Sequence, residues 1–187
     1  VIIPDSVSII GWAAFVGCSS LKNITIPDKV TSIVDHAFAH CTSLTSIIIP
    51  QGITRIGQQT FNNCTSLTSI NIHDNVYTIG LHAFENCSSL KNVTIAKGVK
   101  SIRSYAFSVC TNLTIITIPD SIKEIGNDAF KCCTSLTSVT FLGDSPESHL
   151  VGPSPFDEAA TIYRKPKAKG WGDFFGGRPV KLISEKP

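Results

Sequence analysis

The sequence predicts a strand-dominated repeat solenoid, in which short parallel strands stack along one side of a coiled chain and short helical or 3₁₀ turns line the other. Three observations predict it. Four residue columns recur at one fixed step, i to i+23, the apolar period changes within each copy, and no insertion interrupts the first six copies. Self-similarity at a fixed period of this size is the mark of a stacked-repeat architecture.

The columns are Phe15, Phe38, Phe61, Phe84, Phe107 and Phe130; Cys18, Cys41, Cys64, Cys87, Cys110 and Cys133; Leu21, Leu44, Leu67, Leu90, Leu113 and Leu136; and Ile10, Ile33, Ile56, Ile79, Ile102 and Ile125. Within one copy, Ile56, Thr60, Phe61, Cys64 and Leu67 follow a spacing that suits a helical or 3₁₀ turn with one buried face. Ile70 and Ile72 then alternate with polar residues, which suits a strand. Pro4, Pro27, Pro50 and Pro119 follow the strand in four copies. Proline brings no amide donor and so ends pairing there. One copy cannot bury its own apolar edge, whereas a stack of copies buries a continuous core.

Composition narrows the classes. The chain has 187 residues, 42% hydrophobic and 16% charged, too apolar for a disordered segment. Apolar runs such as Ile47-Ile48-Ile49 are too short for a membrane span. A net charge of +2 argues against nucleic acid as the main partner. There is no Met, no secretory leader pattern, and Val1 opens in the middle of a repeat. The expectation is a piece of a longer chain, with localisation signals outside it.

The pattern Leu-x-x-Ile-x-Ile-Pro-x-x-Val-x-x-Ile-Gly-x-x-Ala-Phe-x-x-Cys, over roughly residues 1–141, resembles the BspA-like leucine-rich repeat. The resemblance implies a right-handed, curved leucine-rich-repeat solenoid with its strands on the concave face. It also implies a cell-surface or secreted protein with a binding or adhesion role. His73 and Ala96 stand where the pattern has Pro, Val34 and Arg103 where it has Gly, and Thr60 where it has Ala.

The register loosens after Phe141. Gly143 to Pro155 reads as a loop. Phe156 falls three places beyond the repeat step from Phe130, which marks a seventh coil with a short insertion. Its strand is expected at Ala160–Tyr163 and a final short strand at Arg178–Ile183. Trp171, Phe174 and Phe175 are suited to covering the last apolar layer. The expected division is residues 1–142 as a six-coil solenoid and 143–187 as a diverged seventh coil with a C-terminal cap.

The columns also bear on chemistry. The cysteines read as a disulfide ladder, a metal site, or small buried apolar residues. Stacked coils hold equivalent Cβ atoms about 4.8 Å apart in parallel, against the roughly 3.5–4.5 Å of a disulfide. Zinc needs ligands converging on a point, and a column is a line. The geometry favours the buried reading, with Cys132 pointing outward. His36 and His40, four residues apart, could begin a metal pair, and His82 shares the column of His36. No carboxylate or cysteine completes a set, so the histidines are expected as solvated residues of the convex side. Serines recur before each strand, as at Ser66 and Ser89, where hydroxyls satisfy turn backbone. There is no nucleophile elbow, no phosphate loop, and no paired carboxylates in the repeats at a common functional position. Neither catalysis, nor a cofactor, nor a metal is expected.

By alternation, the outward residues of the long strands are Asn23, Thr25, Ser46, Ile48, Ser69, Asn71, Asn92, Thr94, Ile115 and Thr117, continued by Ser138 and Thr140. They make a neutral field of hydroxyls and amides with two isoleucines, better suited to a protein or glycan than to DNA or a small anion. The same residues would also be chosen by β-propensity alone. Three roles remain open on the sequence: an interaction module using this face, a spacer holding another domain away from an anchor, and an accessory repeat domain of a larger enzyme.

Overall fold

The computed structural model describes residues 1–146, 154–156 and 160–185. His149 and the middle of the loop after Gly143 lie outside them. The extended segments run, in chain order, β1 (Ile9–Ile10), β2 (Ser32–Ile33), β3 (Arg55–Ile56), β4 (Ser69–Ile72), β5 (Thr78–Ile79), β6 (Asn92–Ile95), β7 (Ser101–Ile102), β8 (Ile115–Ile118), β9 (Glu124–Ile125) and β10 (Ser138–Phe141). Three more close the chain: β11 (Thr161–Arg164), β12 (Phe174–Phe175) and β13 (Arg178–Leu182).

Two kinds of strand alternate, one per side of the coil. The two-residue strands pair in parallel as β1–β2 and β3–β5–β7–β9, and the four-residue strands as β4–β6 and β8–β10–β11. In all of these pairs the partners lie one full repeat apart, as in Ser69↔Asn92 and Ile79↔Ile102. Isolated bridges Ile2↔Thr25 and Asn23↔Ser46 carry the long-strand side back to the first coils. The sequence period is thus the hydrogen-bond register, because one strand per coil must meet its equivalent in the next coil.

The core is the set of repeat columns. Phe38, Phe61, Phe84, Phe107 and Phe130 are fully buried. Successive rings stack at centroid separations of 5.1–5.6 Å and within 4–13° of parallel. Each buried ring is worth about 1.5–3 kcal/mol by area, and a stacked pair about 0.5–1.5 kcal/mol more. Phe15 and Cys18, in the first coil, are half-buried and exposed respectively, since a neighbouring coil covers them on one side.

The turns opposite the long strands are not helical. Each holds two residues in the left-handed region, at His36 and His40, Gln59 and Asn63, and so on to Asp128 and Cys132, with φ between 51° and 62°. Left-handed residues break the i→i−4 pattern of a helix. The turn amides instead bond to the following coil, as in Phe38 N–H to Thr60 O (2.9 Å), Phe61 N–H to Ala83 O (2.9 Å) and Phe84 N–H to Ala106 O (2.7 Å). Among the described residues the one helical segment is a 3₁₀ turn at Ile183–Glu185. None is long and apolar enough to cross a membrane.

The departures from the repeat are absorbed differently. His73 is buried, and its Nε2 lies 2.9 Å from Pro50 O; it is not a solvated convex residue. Thr60 is buried with no partner for its hydroxyl. Gly98 keeps its place of necessity: a Cβ there would lie 1.6 Å from Asp74 O in the preceding coil.

Beyond the sixth coil, the ring column and the long-strand ladder each gain one more member. Phe156 bridges and stacks on Phe130 at 5.3 Å, and β11 pairs with β10. β13 adds in parallel to β11, and β12 returns antiparallel. Phe141, Trp171 and Phe175 meet at 4.8–5.5 Å with their rings steeply inclined, and the Trp171 indole donates to Gly143 O at 3.3 Å. Phe174 takes no part in this cover and is 68% exposed. It neighbours Phe175 on a two-residue strand, where successive side chains point to opposite faces.

Candidate functional site: the long-strand face

Asn23, Thr25, Ser46, Ile48, Ser69, Asn71, Asn92, Thr94, Ile115 and Thr117 are all exposed, on the outward positions of the long-strand side. Alternation with the buried Ile24, Ile47, Ile70, Ile95 and Ile116 puts them there. Two hollows mark the face. One of about 420 Å³ is lined by Asn92, Thr94, Ile115, Thr117, Pro119 and Leu142. Another, of about 260 Å³, is lined by Asn23, Thr25, Ser46 and Ile48. Ile48 is 85% exposed and Ile115 51%, so each hollow carries one large apolar side chain in a polar field.

Ser138 and Thr140, which alternation also assigns to this face, are instead buried. β10 is flanked on both sides, and the register sets Thr140 against Tyr163, whose large side chain is itself buried. Alternation gives a side chain's direction, and a bulky neighbour in register decides its exposure.

Hydroxyls beside the face are partly committed to the fold. Thr45, Thr68 and Thr137 Oγ1 reach carbonyls of the preceding coil at 3.3–3.4 Å. Thr45 Oγ1 also donates to Asn23 Oδ1 at 3.1 Å. Tied in this way, the surface is pre-formed, which lowers the entropy cost of binding.

The cysteine column does more than fill space. Each thiol from Cys41 to Cys133 donates to the carbonyl of a phenylalanine one coil back, at 3.1–3.4 Å. All seven cysteines are free, and Cys132 is exposed. Burial, with a smaller contribution from the neighbouring Cys18 thiol, pushes Cys41 up to about 11. Burial raises Cys87 to about 12, and Cys64 and Cys110 are raised as well. A thiol held protonated is a donor and a poor nucleophile. Nothing in the sequence but the strict use of Cys points to this bond.

On the opposite side, His82 stacks on Tyr105 at 4.8 Å, and its Nδ1 lies 2.9 Å from Glu85 Oε2. Asn62 donates to the same carboxylate oxygen at 2.9 Å. His36 lies against Trp12, with ring centroids 5.9 Å apart. Among the described residues no three His, Cys, Asp or Glu side chains gather as a metal site would need.

The profile of the BspA type Leucine rich repeat region, in six copies, matches residues 1–110 and 54–152. The chain belongs to this repeat family. Comparison with curated proteins gives no match. Among solved structures it is similar to a leucine rich cell surface protein of Faecalibacterium prausnitzii, with 30% identity and a TM-score of 0.54, covering 74% of this chain and 46% of that one. It is also similar to the T. pallidum leucine rich repeat protein, with 31% identity and a TM-score of 0.55, covering 64% of this chain and 56% of that one. The pneumococcal vaccine antigen PcpA shares 29% identity at a TM-score of 0.58, over 64% of this chain and 30% of its own length. The BspA-type chain therefore spans little more than half of these relatives, or less.

Proposed function

We propose that this chain is a non-enzymatic interaction module of a cell-surface or secreted protein, and that it holds a protein or glycan partner against the long-strand face. The observation that carries the reading is the unbroken run of exposed hydroxyl, amide and isoleucine side chains at equivalent positions of successive coils. Such a surface offers many weak contacts at fixed spacing and no focused charge, which suits a broad partner. The family and the neighbour described as a cell surface protein support the same role and location. Residues 1–142 would supply the face, and 143–187 would end the stack.

The test replaces Ser69, Asn71 and Asn92 together by Glu and screens both proteins on arrays of extracellular-matrix proteins and of glycans. All three positions are exposed, so the thermal midpoint should stay within a few degrees. The expected result is loss of array binding by the variant alone. Unchanged binding would remove this face as the site.

A further inference from the structure

A second surface lies on the side of the two-residue strands. An open groove of about 620 Å³ runs across β3, β5 and β7, lined among others by Arg55, Tyr77, Leu81 and Arg103. Tyr77 is 57% exposed, and Leu81 is exposed beside it. Arg55 and Arg103 stand at opposite ends, two coils apart. The coil spacing and the two-residue offset along the strand put their backbones about 12 Å apart.

Each arginine is turned away from the groove's middle toward a carboxylate. Arg55 Nη2 meets Asp35 Oδ1 at 2.6 Å, and Arg103 Nη1 meets Glu124 Oε1 at 2.9 Å. Each contact uses one nitrogen of a guanidinium that carries five N–H donors. The arginine side chains are 63% and 51% exposed, and exposed single-contact pairs are weak. A carboxylate offered from solvent can therefore join either arginine at little cost, in the two-pronged geometry that guanidinium favours. Lys100 and Lys123 continue the Tyr77 column one and two coils on, both exposed. Neither enters an ion pair among the described residues. Asp35 and Glu124 balance Arg55 and Arg103, and Lys100 and Lys123, beyond the groove's lining, add the positive excess along its flank.

We propose that this groove binds an extended acidic segment of a partner protein, with two carboxylates on Arg55 and Arg103 and an apolar side chain between them on Tyr77 and Leu81. An extended chain advances about 3.4 Å per residue, so carboxylates three or four residues apart span the arginines. The charge balance selects an acidic partner, and the exposed ring at the centre selects one with an apolar residue between the acids. The surface is separate from the long-strand face, and the two stand or fall independently.

The experiment is fluorescence anisotropy with the labelled peptide Glu-Ser-Phe-Ser-Glu, its Gln-Ser-Phe-Ser-Gln counterpart, and an oligogalacturonate as competitor. The acidic peptide should bind and weaken as salt rises. The Gln peptide should bind at least about tenfold more weakly. Arg55→Gln with Arg103→Gln should likewise weaken binding about tenfold or more, with an unchanged circular dichroism spectrum. Asp35→Asn with Glu124→Gln removes the competing charges and should tighten it. The Ser69, Asn71, Asn92 triple variant should bind the peptide as the parent does, which separates this surface from the long-strand face. Equal binding of the two peptides, no effect of the arginine pair, or no binding at all overturns the proposal. So does an oligogalacturonate that binds the arginines where the peptide does not, which would assign the groove to an acidic glycan.

Discussion

Replacing Phe84 by Ala tests the stacked core directly. Its ring is fully buried and lies between Phe61 at 5.3 Å and Phe107 at 5.2 Å, both nearly parallel. Truncating a buried Phe costs about 3–5 kcal/mol, including the cavity, and here two ring contacts are lost together. A rigid stack of hydrogen-bonded coils cannot close over the gap, so the expected cost is at the upper end, about 4–5 kcal/mol. Phe15 is half-buried and stacks on Phe38 alone, so Phe15→Ala should cost about half as much, roughly 2 kcal/mol. Both are measured by urea unfolding followed by circular dichroism. A solenoid's stability is a sum over coils and their interfaces, and Phe84 joins two interfaces near the middle. Its loss should therefore also broaden the transition or split it, lowering the apparent slope, whereas loss of Phe15 should leave the slope unchanged. Equal costs for the two variants, or a cost below about 1 kcal/mol for Phe84→Ala, would refute the idea that the ring column holds the coils together.

Val109 sits at φ 60°, where a β-branched residue is strained, while the equivalent positions hold Gly17, His40, Asn63, Asn86 and Cys132. Val109→Asn should stabilise by about 1 kcal/mol and raise the thermal midpoint by about 2–4 °C; a lower midpoint would count against the turn geometry. The raised thiols make stability fall in alkali. Folding keeps Cys41 protonated to about 11 and Cys87 to about 12, from an ordinary value of 9.0. Their contribution is complete below pH 9 and declines above it, by about 1.4 kcal/mol per pH unit for each thiol. Urea midpoints should change little from about pH 8 to about pH 9 and drop from about pH 9 to about pH 10, and drop less in Cys87→Ala.

The coils, their order and the inward columns are legible in the sequence because a period is a local property: Phe61 and Phe84 announce each other by spacing alone. The turn geometry is not. Its left-handed positions hold His36, Gln59, His82, Tyr105 and Asp128, which share no glycine signal, and an i, i+4, i+5 apolar spacing fits a helix as well as a ladder between coils. Alternation places the ten outward residues of the long strands. It cannot foresee Tyr163 beside Thr140, since that pairing crosses the irregular coil. The arginine groove is hidden for a similar reason. Arg103 reads only as a departure from Gly, and its relation to Arg55 appears once two coils separate them in space and Tyr77 fills the interval.

The irregular segment after the sixth coil shows which part of the repeat the fold keeps. Phe156 comes three places late after Phe130, yet Thr161 pairs with Ser138 at one full repeat. The three places gained before the ring are given back after it, since Phe156 and Thr161 are three residues closer in the chain than Phe130 and Ser138. Ring column and strand register are therefore both kept. One coil later the register itself breaks: Ile162 meets Val180, short of a full repeat, and β12 folds back antiparallel on β13. A parallel strand left open would offer its edge to another coil or another chain. An antiparallel return pairs with part of that edge, and Phe175 and Trp171 lie against Phe141 where the repeat stops supplying a ring for the next layer.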